Sequence, residues 1–189
     1  MTIQHTNRQG KDYYLFQGIT KTGKPKYYFS TKNEGCDLNI IPEGYEIYEN
    51  PNGQVFLRKK QLQLITDIEK KMVSSKLSRN KDIQFYIIDI KKKVLTIYTA
   101  EIGESIIPDG LLPFNKLDIM KQFLNYSPEM RFTLTTSKND RNFYAERFCY
   151  RGSIDDWITI GGTGKLKELV DKFIPCLGND SFYELGRVF

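Results

Sequence analysis

Apolar residues along this chain recur mostly at alternate positions, the pattern of strands that bury one face and wet the other. Residues 13–20 and 26–31, rich in aromatic and β-branched side chains, predict a first hairpin around Lys21-Thr22-Gly23-Lys24. Residues 45–49 and 54–58 predict a second, closed by Asn50-Pro51-Asn52-Gly53, where Pro fixes φ and Gly supplies a positive φ. Residues 83–90 and 94–100 predict a third around Lys91-Lys92-Lys93. Residues 131–137 and 143–151 predict a further antiparallel pair, followed by a short strand at 157–160. The first ten residues are polar and predict a frayed end.

The period changes to that of a helix in two places. Leu64, Ile65, Ile68 and Met72 predict an amphipathic helix over 61–77. Leu166, Leu169, Val170 and Phe173 follow i, i+3, i+4, i+7, with Thr163 expected as N-cap and Pro175 just past the end. Gly103, Pro108, Gly110 and Pro113 make 103–115 a loop, 116–125 reads as a short helix, and 181–185 adds one turn. Successive hairpins imply antiparallel pairing. The predicted fold class is therefore α+β: successive antiparallel β-hairpins with amphipathic helices packed on one face. The expected organisation is a small basic, aromatic hairpin module over 1–60 and an α+β main domain over 61–189, or one continuous domain.

Composition removes several chemistries. There is one histidine, His5, which argues against Ser-His-Asp and Cys-His nucleophilic sites, His-ligated zinc and histidine acid/base catalysis. Cys36, Cys149 and Cys176 include no CxxC pair and form neither a disulfide framework nor a zinc ribbon. No apolar run approaches the length of a membrane helix, and the start lacks the apolar core of a signal peptide. The expectation is a cytoplasmic protein with incidental thiols, no membrane contact, no metal site and no cofactor.

The motifs that carry chemistry elsewhere are weak here. Gly161-Gly162-Thr163-Gly164-Lys165 lies between a strand and a helix, yet a Walker A loop needs Gly and a hydroxyl where Thr159 and Leu166 stand. A capped helix start explains the residues. Asp89-Ile90-Lys91 and Glu69-Lys70-Lys71 match the D/E-x-K triplet of metal nucleases, but chance alone supplies about as many triplets in this composition. The densest polar constellation is Glu146, Arg147, Arg151, Asp155 and Asp156. Alternation puts Arg147, Cys149 and Arg151 on one strand face and Glu146, Phe148 and Tyr150 on the other. The two guanidiniums either clamp an anion or pair with Asp155 and Asp156 at a corner that Trp157 anchors. Cys149 reads as a small buried hydrophobe.

The formal charge of +5 is uneven. Residues 1–82 hold 14 basic and 9 acidic side chains, and residues 83–189 hold 14 of each. Lysines release counterions on meeting phosphates, and aromatic rings stack on bases. That makes Lys24, Lys26, Tyr27, Tyr28, Arg58, Lys59, Lys60, Lys70 and Lys71 the candidate nucleic-acid contacts. The competing explanation is lysine placed at hairpin ends and on a wet helix face for solubility.

Three segments resemble a group of uncharacterised bacterial proteins with no assigned activity. They are Lys24-Pro25-Lys26-Tyr27-Tyr28-Phe29-Ser30, the stretch from Ile41 through Phe56, and Glu146 through Trp157 with Ile160-Gly161-Gly162. The resemblance implies a bacterial cytoplasmic setting and one architectural unit spanning both ends, and it carries no catalytic or binding residue. The sequence thus points to a non-enzymatic binding protein whose partner is nucleic acid or another protein. The alternative is an enzyme or anion-binding protein built on the arginine–aspartate cluster. Oligomeric state is left open.

Overall fold

Alternation and turn chemistry produce ten antiparallel strands in three sheets among the residues that the computed structural model describes, 2–35, 38–100, 121–135, 140–151 and 154–186. The expected loop at 103–115 and most of the expected helix at 116–125 lie outside them. The architecture is α+β, with few and short helices. Two compact units form. One contains residues 2–60 with 121–125, and the other the described residues of 61–107 and 126–189. Among the described residues no helix is long and apolar enough to cross a membrane.

The first unit has a three-stranded sheet of β1 (Gln4–Thr6), β2 (Asp12–Ile19) and β3 (Pro25–Ser30), in that order, and a hairpin of β4 (Tyr45–Glu49) and β5 (Val55–Lys59). The polar start is paired rather than frayed: Gln4, His5 and Thr6 lie opposite Tyr14, Tyr13 and Asp12. Asn7 makes this possible. Its buried side chain accepts from the Gln9 and Lys11 amides at 3.0 and 2.9 Å, closing the β1–β2 turn. Its Nδ2 donates to the Gly53 carbonyl at 2.6 Å. Gly53 has φ of +76°, and a Cβ there would stand 3.1 Å from Asn7 Nδ2, so only glycine fits this turn. Leu15 and Val55 are buried, and the Tyr27 ring meets Tyr45 edge-on at 5.5 Å. Arg8 donates to the carbonyls of Lys121 and Leu124, which holds 121–125 on this unit.

The second unit is built on a five-stranded sheet in the order β10-β9-β8-β7-β6. Its strands are β6 (Phe85–Lys91), β7 (Val94–Ala100), β8 (Ser127–Leu134), β9 (Phe143–Arg151) and β10 (Ile154–Thr159). Alternate residues Leu95 and Ile97, Met130, Phe132 and Leu134, and Phe143 and Ala145 share one buried cluster. The same cluster takes Val73 and Leu77 from α1 (Asp67–Leu77) and Leu166, Leu169, Val170 and Phe173 from α2 (Leu166–Phe173). Phe182 joins it from the short α3 (Asp180–Glu184). A two-residue turn joins β6 to β7, with Lys92 at φ 51°.

Helix α1 begins six residues later than the apolar spacing predicts. Thr66 and Glu69 form a capping box, in which the Thr66 hydroxyl accepts from the Glu69 amide and Glu69 Oε2 accepts from the Thr66 amide. The cap stops the helix from extending back to Leu64 and Ile65. It also sets the phase. Glu69, Val73 and Leu77 face inward, while Ile68 is 76% exposed. The inward position at 69 is acidic because Arg141, from the β8–β9 connection, meets it with Nε and Nη2 at 2.7 and 2.8 Å. Arg141 Nη2 also reaches the Leu64 carbonyl at 2.7 Å. Helix α2 likewise starts later than expected. Lys165, not Thr163, stands at its N-cap, without a side-chain cap bond.

Burial raises the Glu69 carboxyl, but the hydrogen bonds from Arg141 and Thr66 outweigh it and hold the group below the usual carboxylate range. A depressed native value means stability that is present above the unfolded pKa and lost as pH falls through the native one. Glu69→Gln is therefore expected to cost roughly 2 kcal/mol at neutral pH. The gap to the parent protein should close as pH falls below about 4. Urea unfolding of both proteins across that range measures it.

Candidate functional site

Neighbouring residues on a strand point to opposite faces, so Tyr27 and Tyr28 cannot both meet a ligand. Tyr27 packs on Tyr45 inside the first unit, and Tyr28 faces out at 44% exposure. The register sets the rest of this outward face. Phe16 lies opposite Tyr28, Gly18 opposite Lys26, and Tyr14 opposite Ser30. Phe16 and Tyr28 stack with centroids 5.5 Å apart and planes 13° from parallel. Lys26 is exposed beside them, and Lys24 is exposed in the β2–β3 turn, held by Thr20 through both Lys24 backbone groups. Neither ammonium has a carboxylate partner among the described residues. Phe16 is invisible as a contact in composition alone. The hairpin turn, which sets the register, is the signal that finds it.

One acid shares this face. Asp12 lies opposite Thr6 and accepts from its hydroxyl at 2.6 Å, a bond that keeps the carboxyl below its ordinary range. Four residues of strand, about 13 Å, separate it from Phe16. The aromatic and lysine end is therefore the electropositive one.

The other candidate cations divide. Arg58 is committed. Its Nε donates to Glu46 at 2.8 Å, its cross-strand partner, and its guanidinium lies 4.0 Å over the Tyr48 ring. Lys59 and Lys60 are exposed, and Lys59 alternates to the face opposite Arg58. Lys70 and Lys71 are exposed on α1, in the second unit. The nine candidates thus do not gather on one surface. Lys24, Lys26 and Tyr28 do.

The arginine–aspartate cluster is separated by the pleat. Glu146 is buried and lies opposite Arg131. Arg131 donates to it from Nε and Nη2 at 2.5 and 2.9 Å, with the Thr133 hydroxyl adding a weaker bond at 3.4 Å. The Arg131 guanidinium stacks 4.3 Å over Trp157, whose ring meets Phe148 edge-on. Arg147 points to the other face, only 3% exposed, and its Nε donates to the Leu185 carbonyl at 2.6 Å. Neither aspartate holds it. Asp155 and Asp156 are exposed, and Asp156 accepts from the Trp157 amide. Arg151 pairs in register with Ile154, and its side chain lies outside the described ones. Both Glu146 carboxylate oxygens are taken by Arg131, a residue absent from the sequence-based set.

The remaining motifs have structural uses. A Cβ on Gly161 would stand 2.6 Å from Phe173, so the glycine admits the helix rather than a phosphate. Gly164 exchanges backbone hydrogen bonds with Phe143 at 2.8 and 2.9 Å. Lys165 pairs with Asp140. Lys91 and Asp89 pair at 3.3 Å, and Glu69 is the capping-box partner of Thr66. The lone His5 meets Glu49 at 3.3 Å. Among the described residues no group of three or more His, Cys, Asp or Glu is placed to hold a metal ion.

No protein-family model, curated protein or solved structure matches this chain.

The Arg131–Glu146 geometry has an asymmetric consequence. Glu146 is the more deeply buried partner, with 9% side-chain exposure against 27% for Arg131. Removing the arginine strands a buried carboxylate. Arg131→Ala should cost about 3 kcal/mol and Glu146→Ala less, while the pair Arg131→Met with Glu146→Leu should recover most of the loss. Equilibrium urea unfolding of the three variants checks the order.

Proposed function

We propose that this chain is a non-enzymatic binding protein that takes single-stranded nucleic acid on the outward face of the β1–β3 sheet. The carrying observation is the stacked pair of half-buried Phe16 and exposed Tyr28, with exposed Lys24 and Lys26 beside it. Rings on an open sheet surface stack on bases of any sequence, and flanking ammonium groups follow the phosphates. A duplex hides its base faces, so the same surface discriminates against it. Lysine without convergent arginines supplies charge rather than base-edge readout, which fits weak sequence preference. The bacterial cytoplasmic setting implied by the three resembling segments belongs to the same proposal. The alternative, an enzyme or anion-binding protein using Glu146, Arg147, Arg151, Asp155 and Asp156, is the weaker reading, because Glu146 and Arg147 serve separate partners on opposite faces.

Fluorescence anisotropy with a labelled oligothymidylate of about 15 nucleotides, its oligouridylate counterpart and a duplex of equal length tests the reading. Single strands should bind more tightly than duplex, and affinity should fall between roughly 50 and 200 mM salt. Phe16→Ala and Tyr28→Ala should each weaken binding about 5-fold or more. Lys26→Ala should lower the salt slope by about 0.7. No salt-sensitive binding at tens of micromolar protein would overturn the proposal.

A further inference from the structure

The strongly basic stretch that follows the first unit has a second destination. Helices α1 and α2 turn their inner faces to the core, and along their outer seam two adjoining depressions open, of about 200 and 400 Å³. Both are lined by Lys76 and Arg79, so they adjoin along one seam and together make the α1–α2 groove. Its accessible aliphatic surface is the half-buried Met72 at one end and the exposed Pro175 at the other, with Val170 and Ile174 buried beneath them. Its rim carries Lys76, Arg79, Lys81 and Lys167 against Asp82 and Asp171.

The charges are not evenly spent. Asp171 is taken by Lys76 at 2.8 Å, and Lys167 also acts on it. Arg79 and Lys81 are exposed and have no carboxylate partner among the described residues. The exposed Pro175 thus lies next to two cations that have no carboxylate partner among the described residues. The chain carbonyls at this end are closed to a ligand, because Asn80 Nδ2 donates to those of Ile174 and Leu177 at 2.8 and 3.0 Å. A metal cation therefore finds repulsion and occupied acceptors. Nucleic acid finds no aromatic ring among the lining residues to stack on. What matches aliphatic surface and cationic rim together is a peptide whose aliphatic anchors are flanked by carboxylates.

We infer that the α1–α2 groove is a docking surface for an acidic segment of a partner protein. From Met72 to Arg79 the groove follows the last turns of α1 and the turn after it, on the order of 10 Å. That length accommodates two aliphatic anchors spaced one helical turn apart, with Asp or Glu between and beside them reaching Arg79 and Lys81. This inference is independent of the nucleic-acid reading, which uses the first unit.

The probe is a phage-displayed library of random dodecapeptides selected on the full chain, with the enriched peptides then resynthesised and titrated by anisotropy. Enrichment of Asp and Glu around paired aliphatic residues is expected. Arg79→Glu with Lys81→Glu should weaken those peptides about tenfold or more. Lys24→Glu with Lys26→Glu should leave them unchanged, and matching thermal unfolding curves for both variants show that folding is intact. Selection without acidic enrichment, or peptides indifferent to the Arg79 and Lys81 reversals, overturns the inference. Displacement of the peptides by a single-stranded oligonucleotide in the Lys24 and Lys26 variant also overturns it, since the groove would then be a nucleic-acid site.

Discussion

A carboxylate drawn out of water at Glu69 is the constraint around which the second unit is arranged. Left alone it would cost several kcal/mol, and burial does push its proton affinity upward. Arg141 reverses that, and the compensation fixes geometry as well as charge. The same carboxylate closes the Thr66 cap and thereby defines where α1 begins. The same guanidinium holds the Leu64 carbonyl, while the Leu64 amide donates to Lys92 in the β6–β7 turn at 2.9 Å. One ion pair thus ties together a helix start, a hairpin turn and the β8–β9 connection. The phase of α1 follows, with Val73 and Leu77 buried and the flank that carries Met72, Ser75 and Lys76 left to line the outer groove.

The other ionic groups sort by the same criterion of what each is already bonded to. Glu146 is bonded to Arg131, Arg147 to the Leu185 carbonyl, and Arg58 to Glu46 through Nε while it stacks on Tyr48, although its buried Nη1 has no hydrogen-bond partner. Arginine does this work because its planar fork can bond a carboxylate and stack on a ring together. The lysines at 24, 26, 59, 60, 70 and 71 stay exposed. Arginine in this protein is therefore mostly an internal fastener, and the surface charge that a partner would meet is lysine, with Arg79 an exception. That division is what the proposed binding surface rests on, since the densest polar cluster has its described side chains largely bonded within the fold.

The strands were legible because alternation and turn residues are local. The β4–β5 hairpin follows from its Pro-Asn-Gly turn, and the opposite facing of Glu146 and Arg147 follows from parity alone. The start of α1 was not legible, because Leu64 and Ile65 continue an apolar spacing that the Thr66 cap interrupts. Glu69 could not be read as an inward position, since the partner that makes its burial tolerable lies 72 residues away. Arg131 was missed for a related reason: its pairing with Glu146 is a matter of β8–β9 register, which no single strand displays. The β1 strand was hidden in a polar stretch, where pairing depends on the buried Asn7 side chain rather than on hydrophobicity. The Phe16–Tyr28 stack required both the hairpin and its register before it could be seen as one surface.

On the proposed function, nucleic acid meets the Phe16–Tyr28 stack and the exposed lysines of the first unit's sheet, not the polar cluster at 146–157. Two-dimensional amide NMR of the full chain, titrated with a short single-stranded oligonucleotide, addresses it directly. The account predicts the largest shift changes at Phe16, Gly18, Lys26 and Tyr28, with Arg131, Glu146, Arg147 and Trp157 nearly still. Largest changes at Glu146 through Trp157, with the β2–β3 face unmoved, would contradict it.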